Sequence, residues 1–134
     1  MAVHYDLVII GAGPGGYTAA IKAAEFGMKV VVIDQDRIGG VCINRGCIPT
    51  KALLHAAHIF SEMQSSDEFG VFTDFISFDF GKMQDYKTRS VERYREQIQT
   101  MFANNGIDFV KGTATIRRNK TVEVNGEHGR EFFQ

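Results

Sequence analysis

The first hydrophobic signal is an unbroken apolar run, Leu7-Val8-Ile9-Ile10, which gives way at once to Gly11-Ala12-Gly13-Pro14-Gly15-Gly16. A short continuous run of this kind predicts a strand buried on both faces of a parallel sheet. Alanine-rich helical spacing follows over about residues 14–26, and Gly27 supplies the stop. A second buried strand is predicted over 29–33, ending on Asp34, and 35–40 reads as a loop. Residues 49–64 form a helical pattern whose apolar face is Leu53, Leu54, Ala57, Ile59, Phe60 and Met63. Residues 65–79 read as a linker carrying Phe69, Phe72, Phe75 and Phe78. A long amphipathic helix is predicted over about 81–103, with Met83, Tyr86, Val91, Tyr94, Ile98, Met101 and Phe102 on its apolar face. Short strands are predicted at 107–110, 113–116 and 121–124. Asn125-Gly126 is a hairpin-turn signal, with 127–130 left open as a longer loop.

The order strand, glycine turn, helix, strand, acid is that of a βαβ dinucleotide-binding unit in an α/β fold. Gly11 permits the tight turn, Gly13 lets the backbone approach a pyrophosphate, and Gly16 lets the helix pack on the strand. Free N–H groups at the helix start and the helix dipole both favour phosphate there. Asp34 is placed to accept from ribose hydroxyls and disfavours a 2′-phosphate. These residues alone do not separate a flavin from a nicotinamide dinucleotide.

Length and charge narrow the classes. At 134 residues the chain holds enough material for one domain with a core. A net charge of −1 provides no basic field for nucleic acid or an anionic membrane. No apolar run approaches the ~20 residues of a membrane helix. The start, Met1-Ala2-Val3-His4-Tyr5-Asp6, lacks a basic n-region, so a cytoplasmic location is expected. Termination at Glu131-Phe132-Phe133-Gln134, one strand into a hairpin, suggests the N-terminal part of a longer protein.

The two cysteines, Cys42 and Cys47, stand within Gly39-Gly40-Val41-Cys42-Ile43-Asn44-Arg45-Gly46-Cys47-Ile48-Pro49-Thr50-Lys51. On an ideal helix, residues five apart have Cα atoms roughly 8–9 Å apart, beyond the ~7 Å reach of a disulfide. A bridge therefore requires a distorted turn, which Gly46 and Pro49 favour. Closing so small a ring stabilises little, which favours a redox role. Zinc would need two further ligands, and His4, His55, His58 and His128 offer no convincing spacing. Two unpaired buried cysteines are the remaining alternative. Lys51, one turn after Cys47 on a regular helix, is placed to stabilise a thiolate; taken alone it reads as a solvated lysine.

The cysteine segment and its continuation Ala52-Leu53-Leu54 resemble the active-site segment of the class I pyridine nucleotide–disulfide oxidoreductases. The resemblance runs over the whole chain, strongest from Tyr5 to Leu54, and returns at Val110-Lys111-Gly112-Thr113-Ala114. Within the family the segment looks most like members that oxidise dihydrolipoyl groups; members acting on glutathione or mercuric ion are the nearer alternative. A non-catalytic nucleotide-binding module is the alternative from another class.

The resemblance implies a Rossmann-like FAD-binding unit with a parallel sheet, a helical segment and a short antiparallel meander. It implies that residues 1–134 are the N-terminal part of an FAD domain, without the NAD-binding and dimerisation domains. It implies a redox-active Cys42–Cys47 disulfide as the catalytic pair and FAD as cofactor, with NAD serving the full-length parent. Gly11, Gly13, Pro14, Gly15, Gly16, Asp34, Gln35, Gly39, Gly40, Val41, Cys42, Lys51 and Ala114 are the implied FAD contacts. No metal is implied. The implied partner is the dihydrolipoyl group of an acyltransferase or related carrier protein, and the parent is implied to be a homodimer. The family more often carries glutamate where this chain has Asp34.

Overall fold

The computed structural model describes residues 3–127 and 129–134. Met1 and Ala2 of the N-terminal stretch, and His128 among the histidines weighed as zinc ligands, lie outside the described residues. The chain is α/β, with strands β1 (Leu7–Ile10), β2 (Val30–Asp34), β3 (Asp108–Ile116), β4 (Val122–Gly126) and β5 (Gly129–Phe133). Its helices are α1 (Pro14–Glu25), α2 (Gly40–Arg45), α3 (Cys47–Gln64) and α4 (Phe80–Asn104). A short 3-10 turn, Ser66–Phe69, lies in the segment read as a linker.

The strands form one sheet in the order β1-β2-β3-β4-β5. The first two pairings are parallel and the last two antiparallel. The core sits on both faces of β2. Val30 and Val32 face a cluster with Ala20, Ile43, Ile98 and Phe102 from the helices, while Val31 and Ile33 face Val122, Val124 and Phe133. Strand β2 is therefore buried on both sides, as its apolar run predicts. Strand β1 is not: it stands at the sheet edge and Ile10 is exposed.

The two strands expected at 107–110 and 113–116 are one strand, β3. It pairs with β2 through Asp108–Lys111 and with β4 from Gly112 onward. Gly112 marks the change of partner: a Cβ there would lie 2.7 Å from Val124 Cγ1 and 2.9 Å from the Asn125 carbonyl oxygen. The hairpin turn also falls later than Asn125-Gly126 suggests. Both residues belong to β4, and the chain reverses between the paired Gly126 and Gly129. Gly129, paired with Gly126 in the ladder, has a positive φ of +107°. The last residues are tied to the start of the chain. The Tyr5 N–H donates to the Gln134 carbonyl at 2.9 Å, and the Gln134 N–H donates to that of Val3 at 3.0 Å.

The long helix α4 starts where Asp79 accepts from the Lys82 N–H at 3.0 Å, an N-cap bond. Of its predicted face only Val91, Ile98 and Phe102 are buried; Tyr86, Tyr94 and Met101 are exposed. On α3 the buried residue is Ala52, whereas Leu54, Ile59 and Met63 of the predicted face are exposed.

Candidate functional site

The glycine turn is held by backbone geometry. The Gly11 N–H donates to the Ile33 carbonyl at 2.7 Å, and Gly11 has φ +106°. Gly13 is the N-cap of α1 and provides no side-chain cap, and Pro14 occupies the first turn. The helix start thus keeps N–H groups without side-chain acceptors. A Cβ on Gly16 would overlap the Gly11 carbonyl oxygen, so only glycine lets α1 approach the turn this closely.

A second glycine pair brings the cysteine segment against this turn. The Gly39 N–H donates to the Ala12 carbonyl at 2.9 Å. Gly40 has φ +61°, and a Cβ there would stand 2.6 Å from Gly13 Cα. The starts of α1 and α2 therefore meet in contact. Asn44 fastens the loop before α2, its amide donating to the carbonyls of Gly40 at 2.9 Å and Ile38 at 3.1 Å.

Asp34 lies where the two glycine segments converge. One carboxylate oxygen accepts from the Ala12 N–H at 2.8 Å and the other from the Asp36 N–H at 2.9 Å. The short acid thus locks both turns to the end of β2. Each oxygen keeps a further lone pair for a ligand hydroxyl.

A cleft of about 750 Å³ runs along this junction, lined by Gly13, Asp34, Gln35, Gly40, Val41 and Thr113 among others. It shares Asp34, Gln35 and Thr113 with a recess of about 300 Å³ that reaches Gly11, Gly112 and Ala114. Residues from both ends of the chain, Gly11 to Val41 and Gly112 to Ala114, thus meet on one polar groove. The fit to a dinucleotide is physical. Helix N–H groups lack side-chain acceptors, two glycine backbones meet where side chains would fill the space, and a carboxylate has acceptor capacity to spare.

Of the sequence-predicted contacts, Gly11, Gly13, Asp34, Gln35, Gly40, Val41 and Ala114 line these two spaces. Pro14, Gly15, Gly16, Gly39, Cys42 and Lys51 do not. Gly16 instead lets α1 pack against the Gly11 carbonyl, and Gly39 leaves room for the Ile43 side chain. Sequence reading missed Thr113 and Arg45 on the groove and Asn44 behind it. Thr113 was reachable from the Val110–Ala114 resemblance; Asn44 carried no signal beyond its place in the cysteine segment.

Cys42 and Cys47 form a disulfide with Cα atoms 4.7 Å apart. The separation is far below that of a regular helix because Gly46, at φ −125° and ψ −103°, breaks the chain between α2 and α3. A Cβ on Gly46 would press on the Val41 carbonyl oxygen at 3.1 Å and Cys42 Cα at 3.3 Å. Cys42 is half-buried and Cys47 exposed. Helix α3 begins at Cys47, two residues before the predicted start, because Pro49 is tolerated in a first turn. That places Lys51 on regular helix one turn after Cys47, exposed. Among the described residues, no group of three or more His, Cys, Asp or Glu is placed to hold a metal ion. Among them also, no helix is long and apolar enough to cross a membrane.

Comparison with known proteins gives a consistent answer. The model of the pyridine nucleotide-disulphide oxidoreductase family matches residues 5–131. A dihydrolipoyl dehydrogenase of Staphylococcus aureus is 40% identical over 131 residues, covering 98% of this chain and 28% of the relative. That of Manduca sexta is 46% identical over 128 residues, covering 94% of this chain and 26% of the relative. That of Acholeplasma laidlawii is 40% identical, covering 95% of this chain and 38% of the relative. The chain thus spans between about a quarter and two-fifths of the length of these relatives.

Proposed function

The chain belongs to the pyridine nucleotide-disulphide oxidoreductase family, and from that premise we propose that it forms the disulfide and flavin-binding part of a dihydrolipoamide dehydrogenase. The observation that carries the reading is the position of the Cys42–Cys47 disulfide. It begins one residue after Val41, which lines the groove between the two glycine segments. Gly11, Gly13, Asp34, Gln35, Gly40, Val41 and Ala114, which line the groove, would hold FAD, with Pro14 and Gly15 at the start of α1, Gly16 and Gly39 shaping the two turns, and Cys42 and Lys51 on the flavin side. When bound, FAD supplies a two-electron acceptor for the reduced cysteine pair and a hydride donor for NAD⁺.

The chain's own residues perform the thiol half-reaction. A dihydrolipoyl thiolate attacks Cys42 Sγ, the Cys42–Cys47 bond breaks, and Cys47 leaves as a thiolate. The second dihydrolipoyl sulfur, deprotonated, attacks the mixed disulfide and releases Cys42. Lipoyl disulfide departs, two protons go to solvent, and both electrons remain on the cysteine pair. The Lys51 ammonium favours the thiolate at Cys47.

The domain reading follows the same lines. Residues 1–134 form the N-terminal part of an FAD domain, with NAD binding and dimerisation supplied by chain that the longer relatives possess. The exposed edge position of β1 supports this reading, since its apolar run suits a strand covered on both sides. The 134-residue chain by itself is expected to show no steady dihydrolipoamide–NAD⁺ turnover. The proposed partner is the dihydrolipoyl group of an acyltransferase or related carrier, and the proposed location is the cytoplasm.

The test is a trapping experiment. The oxidised chain is treated with one equivalent of dihydrolipoamide, alkylated, and mapped by mass spectrometry. The reading predicts paired alkylation at Cys42 and Cys47, and, in Cys47→Ser treated instead with oxidised lipoamide, a lipoyl mixed disulfide formed by attack of the Cys42 thiolate. Cysteines that stay unmodified under dithiol would overturn it.

A further inference from the structure

A second polar cleft, of about 510 Å³, opens between the loop after β2, helix α2 and helix α4. Four cationic side chains line it: Arg37, Arg45, Lys87 and Arg95. The acids on its wall are Asp36, which pairs with Arg45, and Glu92. The side chains of Arg37, Lys87 and Arg95 form no ion pair or hydrogen bond with the described residues. The cleft therefore carries a positive excess with only Glu92 to offset it.

Arg95 and Asn44, both lining the cleft, each carry a buried polar atom without a hydrogen-bond partner: Nε and Oδ1. A buried donor or acceptor is normally satisfied, and a charged one strongly so. The two needs are opposite. Arg95 Nε carries a proton and requires an acceptor. Asn44 Oδ1 requires a donor, and the orientation of its amide is fixed because Nδ2 already donates to Gly40 and Ile38. A fully deprotonated anion satisfies only the arginine.

We propose that this cleft binds a protonated phosphate oxyanion, either inorganic phosphate or a phosphomonoester, at a site separate from the flavin groove. The P–O⁻ oxygens accept from Arg95 Nε and lie in the field of Lys87 and Arg37. The P–OH group donates to Asn44 Oδ1. The cleft shares Asp36 and Arg45 with the flavin groove, so an anion there stands beside the loop that carries α2 and Cys42. The proposal does not rest on the flavin reading, and its test omits FAD.

The experiment is a calorimetric titration of the whole chain at about pH 6, where a phosphomonoester keeps much of its P–OH proton, with inorganic phosphate and, in a second arm, glycerol phosphate, at ionic strength held constant with chloride. Sulfate, which lacks the hydroxyl at that pH, is the comparison ion. Saturable one-site binding is expected, at least tenfold tighter for one or both phosphates than for sulfate, and the tighter arm identifies the source. Arg95→Met should weaken it about tenfold. Lys87→Met, which keeps an apolar stem, should weaken it by a factor of about three with an unchanged circular dichroism spectrum. Lys111→Met, away from the cleft, should bind as the parent chain does. No saturable binding, equal affinity for sulfate, or undiminished affinity in Arg95→Met and Lys87→Met overturns the proposal.

Discussion

The two glycine segments and the phenylalanine-bearing segment 69–80 are opposites in how they are specified. Gly16, Gly39 and Gly40 each sit where a Cβ would strike atoms of another part of the chain. Phe72 and Phe75, by contrast, are 82% and 83% exposed, and Phe69, Phe78 and Phe80 are exposed as well. In the first region Gly16 and Gly40 are fixed by a facing backbone and Gly39 by the Ile43 side chain, so identity at these positions matters atom by atom. In the second, large apolar side chains face solvent in this chain, and little in the fold depends on which residue stands there. The disulfide belongs to the first region, and the groove runs between its two segments, completed by Asp34, Gln35 and Gly112 to Ala114.

The largest effect expected is at Gly16. Gly16→Ala must displace α1 from the Gly11 carbonyl, and a loss on the order of 3 kcal/mol or more is expected in urea unfolding. Gly40→Ala combines left-handed strain with a 2.6 Å contact to Gly13 Cα. It should cost about 2 kcal/mol and also separate the two helix starts. FAD affinity, read by flavin fluorescence, should fall with it, whereas Gly27→Ala, with open space around it, should leave FAD binding unchanged.

Glu123 sharpens the comparison away from glycine. It is a buried carboxylate accepting from Arg117 at 2.7 Å and Arg130 at 3.1 Å. Both arginines are more than half exposed, so solvent screens the pairs. Glu123→Gln should cost about 1 kcal/mol, an effect that high salt diminishes. At the smallest end, Phe72→Ser and Phe75→Ser should shift stability by no more than about 0.5 kcal/mol. A larger loss for either would erase the contrast between the regions.

Tyr5 provides a pH test of the sheet's far end. Burial, and then the hydrogen bond to Asp108 at 2.6 Å, push its phenol up from 10.0 to about 12. The native state holds the proton after the unfolded chain has lost it. This contribution to stability is therefore full below pH 10.0 and is lost as pH rises toward about 12. Tyr5→Phe should flatten the alkaline limb of the stability profile.

The legible parts of the fold were the local ones. The run Leu7–Ile10, the glycine turn, α1 and β2 follow one another within a single βαβ unit, and each is marked by its own residues. The need for a distorted turn between Cys42 and Cys47 was also legible, because helix geometry alone forbids the bridge. Readings that depended on distant partners fared less well. The continuity of β3 through Gly112 depends on β2 ending opposite Lys111 and β4 taking over. The hairpin shift goes with Gly126 sitting in the ladder, where a Cβ would stand 2.8 Å from the Lys111 carbonyl oxygen, and not with the turn preference of Asn125-Gly126. Tyr86, Tyr94 and Met101 obey helical spacing, yet on α4 only Val91, Ile98 and Phe102 are buried, the last two in the cluster against β2. Helix α2 was too short for its periodicity to register.

The most direct test of the central claim, that the disulfide and the glycine groove form one redox site, is the visible spectrum of the chain with FAD, recorded before and after one equivalent of dithiol. With Cys42 as the sulfur that meets the dihydrolipoyl thiolate and Cys47 as the thiolate on the flavin side, the account predicts a long-wavelength thiolate-to-flavin band on reduction, retained in Cys42→Ser and absent in Cys47→Ser. Bound flavin whose spectrum is indifferent to the dithiol, or a band that persists in Cys47→Ser, would contradict it.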